Sequence, residues 1–276
     1  MSTSVAPAPR PVVPPPTEYQ EIKIVSHSNL FYWWPVWGLG LVLGLWSLAD
    51  GHRMAIVPKD TEADVSRTVE GHEKLGPSDV LIVPKGKLPA DPTHLHISAN
   101  KSNGVLFVII LLLVIIVTNV PLRGLWSVVV IVTVVLLSII FRLAGWWEPI
   151  LNALSLLQIY FNAAGYLVFS VALLVIWLLV FLLFDSQIYM VFTPGQLRVR
   201  EEIGGGESAY DTAGMIIQKQ RNDIFRHWIL GLGSGDLLVT TSGATAHHFN
   251  LPNVLFVGHK VKQIENMLRE KPVVHG

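Results

Sequence analysis

The stretch GVLFVIILLLVIIVTNV, residues 104–120, decides the architecture. It carries no charged side chain, and at about 1.5 Å per helical residue it covers most of a hydrocarbon core about 30 Å thick. Working outward, three more windows of the same kind appear, so the expected spans are 30–49, 104–121, 125–142 and 165–184. Between the second and third, Pro121-Leu122-Arg123-Gly124 reads as a turn joining a tight antiparallel hairpin. Of the 276 residues, 51% are hydrophobic and only 14% are charged, against about 25% in an ordinary soluble domain. Four such runs in one core would need a larger polar shell than this composition supplies. The fold class expected is therefore a membrane α-helical protein with four transmembrane helices.

Aromatic residues mark the ends of these windows. Phe31, Tyr32, Trp33, Trp34 and Trp37 crowd the start of the first, and Trp46 lies near its end. Trp126 opens the third, while Trp146 and Trp147 follow it. Rings with a polar handle favour the headgroup level. Trp177, in the middle of the fourth window, instead reads as a helix-packing residue. No Asp, Glu, Lys, Arg or His stands mid-window, whereas transporters and pumps place ionisable or broken-helix sites there. Gly40 and Gly44 form a GxxxG pair that lets two helices approach closely. Residues 1–29, with the run APAPRPVVPPP, read as a disordered Pro-rich tail. The first window is too long for the apolar region of a cleaved leader.

Residues 50–103 read as a small soluble α/β loop domain. Strand-prone pieces lie at MAIV, DVLIV and THLHIS, and DTEADVSRTVEGHEKLG reads as a capped helix ending near Gly76. His94 and His96 alternate along one strand face, with His72 or His52 as an optional third metal ligand; the ordinary polar strand face is the favoured reading, and no metal is assigned. Residues 148–162 read as an interfacial connector helix, with Asn152, Ser155, Gln158 and Asn162 on one side and Ile150, Leu154, Leu157 and Phe161 on the other.

After Asp185 the pattern changes to short alternating runs punctuated by Gly-rich turns. Strands are expected at 188–193, 196–200, 207–211, 215–218, 236–240 and 246–250. Val254, Val257, Val261, Ile264 and Leu268 then step by three and four, the stripe of one amphipathic helix. This predicts a small β-barrel or sandwich with a closing helix over 186–276. The GLGSGD element, residues 231–236, lacks both the P-loop lysine and a surrounding βαβ unit, so it reads as a turn. His247 and His248 are neighbours on a strand and point to opposite faces. Lys219, Arg221 and Arg226 form a basic cluster beside Trp228, a candidate lipid or partner contact.

Thr193, Leu197 and Val199 in a T-x-x-x-L-x-V hairpin, the run Ile217-Gln218-Lys219-Gln220, Leu232-Gly233-Ser234-Gly235-Asp236 before a strand, and the late Asn250-Leu251-Pro252 carry a resemblance. Over this C-terminal third the chain resembles a bacterial pleckstrin-homology-like (bacterial PH) domain. The resemblance implies a PH-like fold following transmembrane helices directly, at the cytoplasmic face of an inner (plasma) membrane. The count of Lys and Arg in the loops points the other way, but the long first loop largely escapes that rule.

No nucleophile–base pair or clustered carboxylates stand out, and the chain has no cysteine. The expected function is a non-enzymatic, membrane-anchored interaction or scaffold protein. It would need no cofactor and no nucleic acid, and would contact the bilayer and a membrane-protein partner or a second copy of itself. The alternatives are a small transporter or channel subunit, and a membrane enzyme using the histidines of the first loop.

Overall fold

The computed structural model describes residues 21–67, 78–87, 95–120, 124–157, 159–221, 223–242 and 246–269. The tail up to residue 20, the turn residues 121–123, His72, His94 and Gln158 lie outside the described residues. Among the described residues the chain forms two compact units: a helical unit of residues 28–183 and 223–232, and a β unit drawn from residues up to 27, 184–221 and 233 onward.

Among the described residues, four helices are long and apolar enough to cross a membrane: Asn29–Ala49, Ser102–Asn119, Leu125–Leu143 and Ala163–Gln187. The first opens with a tight turn, Asn29–Trp33, and continues as α1 (Trp34–Ala49), with Pro35 in its first turn where no backbone donor is needed. The second is α2 (Ser102–Asn119) and the third α3 (Leu125–Leu143). A short α4 (Trp147–Leu156) follows, then α5 (Ala163–Leu179), which runs into a π-helical turn at Val180–Phe184. The connector helix expected over 148–162 stops early. Asn162 caps α5 instead, its Oδ1 accepting the Gly165 N–H at 2.6 Å, so the chain is extended just before that cap.

Glycine decides how α1 meets α5. A Cβ placed on Gly40 would collide with the Ser170 hydroxyl, and one on Gly44 would come within 2.8 Å of the Leu167 side chain. The GxxxG pair therefore serves contact within this chain. α2 joins through Phe107, whose ring meets Tyr166 edge-on at 5.3 Å and sits in the core with Val36, Leu43 and Val114. α3 is different: among its residues only Ser127 is buried.

Among its described residues the first loop holds two small antiparallel pairs. β2 (His52–Met54) pairs with β5 (Leu95–Ile97), and β3 (Glu62–Arg67) with β4 (Ser78–Ile82). The helix expected near Gly76 is corrected in its described half, because Glu62–Arg67 is a strand. Its residues alternate polar and apolar with a period of two, and pairing with β4 outweighs local helix signals.

The β unit contains two antiparallel sheets. The first has the order β1 (Ile22–Val25), β6 (Tyr189–Phe192), β7 (Gln196–Arg200), β8 (Ser208–Asp211); the second runs β11 (His248–Val254), β10 (Gly235–Thr240), β9 (Ile216–Gln220). They share one core. Ile24, Met190, Phe192, Leu197 and Val199 come from the first sheet, Leu237, Val239, Phe249 and Leu251 from the second. α6 (Val257–Arg269) closes that core with Val257, Val261, Ile264 and Met267. The sheets do not close into a barrel: among the described residues no ladder joins β8 to β9.

One element overturns an expectation. The tail assigned to residues 1–29 includes β1, a central contributor to the core, with Ile24 fully buried opposite Met190. Four residues of alternating Ile-Lys-Ile-Val are too short a signal to stand out beside a Pro-rich run, and their partner lies beyond all four apolar helices in sequence.

Candidate functional site

Two constellations deserve the name of candidate sites, one in each unit. In the β unit, the chain leaving β1 is fastened to both sheets. Ser26 N–H donates to Ile188 O at 3.0 Å, Ser26 Oγ donates to Pro252 O at 2.9 Å, and Asn253 Nδ2 donates to His27 O at 2.8 Å. Asn253 adopts a left-handed backbone (φ 56°), which Asn tolerates better than most residues, and its N–H is held by Asp236 Oδ1 at 3.0 Å. Beneath this lies a buried pair, His27 Nδ1 and Asp185 Oδ2 at 3.2 Å. Asp185 directly follows the π-helical turn Val180–Phe184, in the last turn of the fourth apolar helix. The two side chains are both buried, so their contact ties the chain leaving β1 to the residues just before β6.

In the helical unit, residues 223–232 make the second constellation. The chain leaves β9, forms a π-helical turn at Phe225–Leu230, and returns as β10. Asp223 starts the turn: its Oδ1 accepts the Arg226 N–H at 2.9 Å and its backbone carbonyl accepts the His227 N–H at 3.0 Å. Arg226 lies folded back, its Nε 3.6 Å from Asp223 Oδ2, and its Nη2 donates to Thr118 O at 3.3 Å. Thr118 O is one of the last carbonyls of α2, so a cation here satisfies an orphan acceptor at the negative end of the helix dipole. Asn29 Nδ2 reaches the same carbonyl at 3.5 Å. Trp34 Nε1 donates to Leu230 O at 2.9 Å, and Tyr32 Oη lies 3.4 Å from His227 Nδ1, with both side chains buried. Trp177 packs between helices as expected, donating to Phe31 O at 3.1 Å and stacking on Phe181 at 4.9 Å.

The basic cluster read from sequence is divided. Lys219 and Arg221 belong to the β unit, where both come near the first turn of α6: a Cβ on Gly258 would lie 3.5 Å from Arg221 Nη2 and 3.9 Å from Lys219 Nζ. Arg221 also donates to Gly233 O at 2.7 Å. In α6 itself, burial pushes the Lys260 ammonium below its ordinary value. Arg226 and Trp228 belong to the helical unit, Arg226 largely covered with its side chain 11% exposed and Trp228 exposed. Charge spacing suggested a surface patch, whereas Asp223 three residues before Arg226 was the signal for a buried pair.

In the first loop, His52 faces Ile97 and Arg53 faces His96 across the β2–β5 pair. Residues opposite one another share a sheet face and neighbours alternate, so His52 and His96 point to opposite sides. Among the described residues no three His, Asp or Glu side chains converge on a metal-sized site. Asp50 has a structural task there: Ala99 N–H at 2.8 Å and Ser98 Oγ at 3.0 Å donate to its Oδ2, and together they hold the carboxyl below its ordinary range. In the β unit, His248 Nδ1 lies 3.0 Å from Thr240 Oγ1, while His247 packs on Tyr210 at 5.1 Å. A cavity of about 160 Å³ opens nearby between Glu201, Glu202, Ser208, Tyr210 and Phe249, beside the Gly204-Gly205-Gly206 turn. Comparison with known proteins found no matching family model, no similar curated protein and no similar solved structure.

Proposed function

We propose that this chain is a multi-pass protein of the inner (plasma) membrane, and that it presents a PH-like β unit at the membrane surface as an interaction or scaffold module. One observation carries the reading. β1 runs through Ser26, His27 and Ser28 into the first apolar helix, β6 follows the fourth after Ile188, and these two strands are hydrogen-bonded neighbours. The β unit is thus the joined continuation of both ends of the helical segment, an arrangement that requires an even number of crossings. A shared core of two antiparallel sheets and a closing amphipathic helix agrees with the PH-like resemblance, and that resemblance puts both ends in the cytoplasm.

An anchor fits the helices better than a conduit does. Their buried hydroxyls are largely spent on their own backbones: Ser47 Oγ on Leu43 O at 2.8 Å, Thr118 Oγ1 on Val114 O at 2.7 Å, and Ser127 Oγ on Gly124 O at 2.8 Å. The module would act without cofactor or catalysis, binding a membrane-protein partner or a second copy of the chain.

The test has two arms. Single cysteines at Glu202 and Lys85, introduced into a chain with no native cysteine, are labelled with a membrane-impermeant maleimide in intact cells and in inverted vesicles. The two sites should label from opposite sides; labelling from one side would overturn the multi-pass reading. Crosslinking in membranes followed by mild-detergent purification should yield a stable oligomer or heteromeric complex. Ile24→Asp, which places a charge in the β core, should abolish that complex. A monodisperse monomer from the unaltered chain would count against the scaffold role.

A further inference from the structure

Residues 223–232 have the reverse of a water-facing surface. The groups able to carry charge are hidden: Asp223 is 4% exposed, His227 2%, and the Arg226 side chain 11%. The large apolar groups are displayed: Trp228 is 62% exposed, Ile229 57% and Leu232 63%. In water this arrangement forfeits apolar burial and gives the polar groups no benefit from solvent. It is the arrangement expected of an element whose outer surround is hydrocarbon or the headgroup boundary.

The polar contacts fix the level at which this segment is held. Arg226 reaches the C-terminal end of α2 at Thr118, while Tyr32 and Trp34 meet it from the N-terminal end of the first apolar helix. For two consecutive crossing helices, the start of the first and the end of the second lie on one side of the bilayer. Trp34, itself 37% exposed, continues the apolar surface of α1 into that of the segment. The displayed side chains are therefore contiguous with the band of apolar surface that the crossing helices present to lipid. An indole with a polar handle at this level is the ordinary mark of the interface.

We infer that residues 223–232 form an interfacial wedge, with Trp228, Ile229 and Leu232 embedded at the headgroup–acyl boundary of the bilayer. The wedge works by lipid contact, with Arg226, His227 and Asp223 as the inward-facing pegs that hold it to the helices. The inference rests on the crossing of the bilayer by the four apolar helices, so the experiment must fail separately for each.

Spin labels on Ile229→Cys and Leu232→Cys are read in the full chain, reconstituted in phosphatidylcholine–phosphatidylglycerol nanodiscs. Collision with oxygen, which partitions into lipid, is compared with collision with a water-soluble nickel complex. Leu136→Cys, in the middle of α3, reports on the crossing itself, and Glu202→Cys reports on water. The expected result is an oxygen-to-nickel ratio at 229 and 232 several-fold above that at 202 and below that at 136, the order of an interfacial depth. If 229 and 232 match the water-exposed 202 while 136 is lipid-exposed, the wedge is wrong and the crossing stands. Labels shielded from both oxygen and nickel mean a protein partner covers the segment, which also overturns it. A nickel-accessible 136 removes the crossing and the wedge together. Two label sites keep the test decisive should one variant fail to purify as a monodisperse species.

Discussion

Helices α1 and α3 are similar in length and both strongly apolar, yet they are used in opposite ways. α1 gives up side-chain volume at Gly40 and Gly44 to bring its backbone against α5, and it buries Val36 and Leu43 besides. α3 is rich in Val, Leu and Ile, displays them on all sides, and buries only Ser127 among its described residues. In hydrocarbon, an apolar surface gains nothing by leaving lipid, so helices are held together by close fit and polar contacts. Small residues placed in register make such a fit, and a wall of branched side chains does not. α1 therefore belongs to the packed core of the helical unit, while α3 keeps nearly all of its apolar surface exposed.

The sharpest way to break this comparison is to fill the glycine seam. Gly40→Leu combined with Gly44→Leu should destabilise the helical unit by roughly 3 kcal/mol or more, since overpacking costs about 1–3 kcal/mol per site. The measurement is unfolding in an SDS titration followed by tryptophan fluorescence. Leu136→Ala on α3 should stay within about 0.5 kcal/mol in the same assay, as for other sites away from packed contacts. Comparable losses at the two sites would mean that α3 is packed after all. Next in size is Arg226→Ala, which leaves Asp223 buried without its cation and the Thr118 carbonyl with only the longer contact from Asn29. A loss of about 2 kcal/mol is expected, and Arg226→Lys should restore only part of it because the planar fork is gone.

A smaller effect of opposite sign tests the packing logic within α1. Gly38 has open space around it, with nothing within 4 Å of an added Cβ. Gly38→Ala should therefore be neutral or stabilising by up to about 1 kcal/mol, whereas Gly40→Ala should destabilise. Both are read by the same SDS titration. The smallest effect concerns Asp50. Its folded-state pKa is depressed, so its contribution is present above the ordinary carboxylate value and is lost as pH falls through the lowered one. A shallow decline in thermal midpoint at acid pH should flatten in Asp50→Asn. The site is open to solvent, so screening keeps the change small.

What could be read from the sequence follows the same physics. The apolar runs were plain because a span is a local, one-dimensional property: length and lack of charge suffice. The stripe Val257, Val261 and Ile264 and the strand Gln196–Arg200 were equally local. β1 was missed because its meaning lies in a partner over 160 residues away in sequence, and Glu62–Arg67 was misread because pairing overrode local preference. At the candidate sites, residue types were visible but their surroundings were not. Arg226 looked like a surface cation until Asp223 and Thr118 were seen beside it, and Gly40 and Gly44 showed a fit without showing which helix fills it.

The pairing of β1 with β6 also sets a timetable. Ribosomes deliver Ile24 first, but its neighbour Met190 emerges only after all four long apolar helices have been synthesised, and Leu251 and Ile264 later still. Until then the first strand waits as an unpaired apolar edge, and contacts so distant in sequence form slowly. Completion of this core therefore requires the two ends of the helical segment to meet. The β core is thus a part of the chain that only a nearly finished polypeptide can complete.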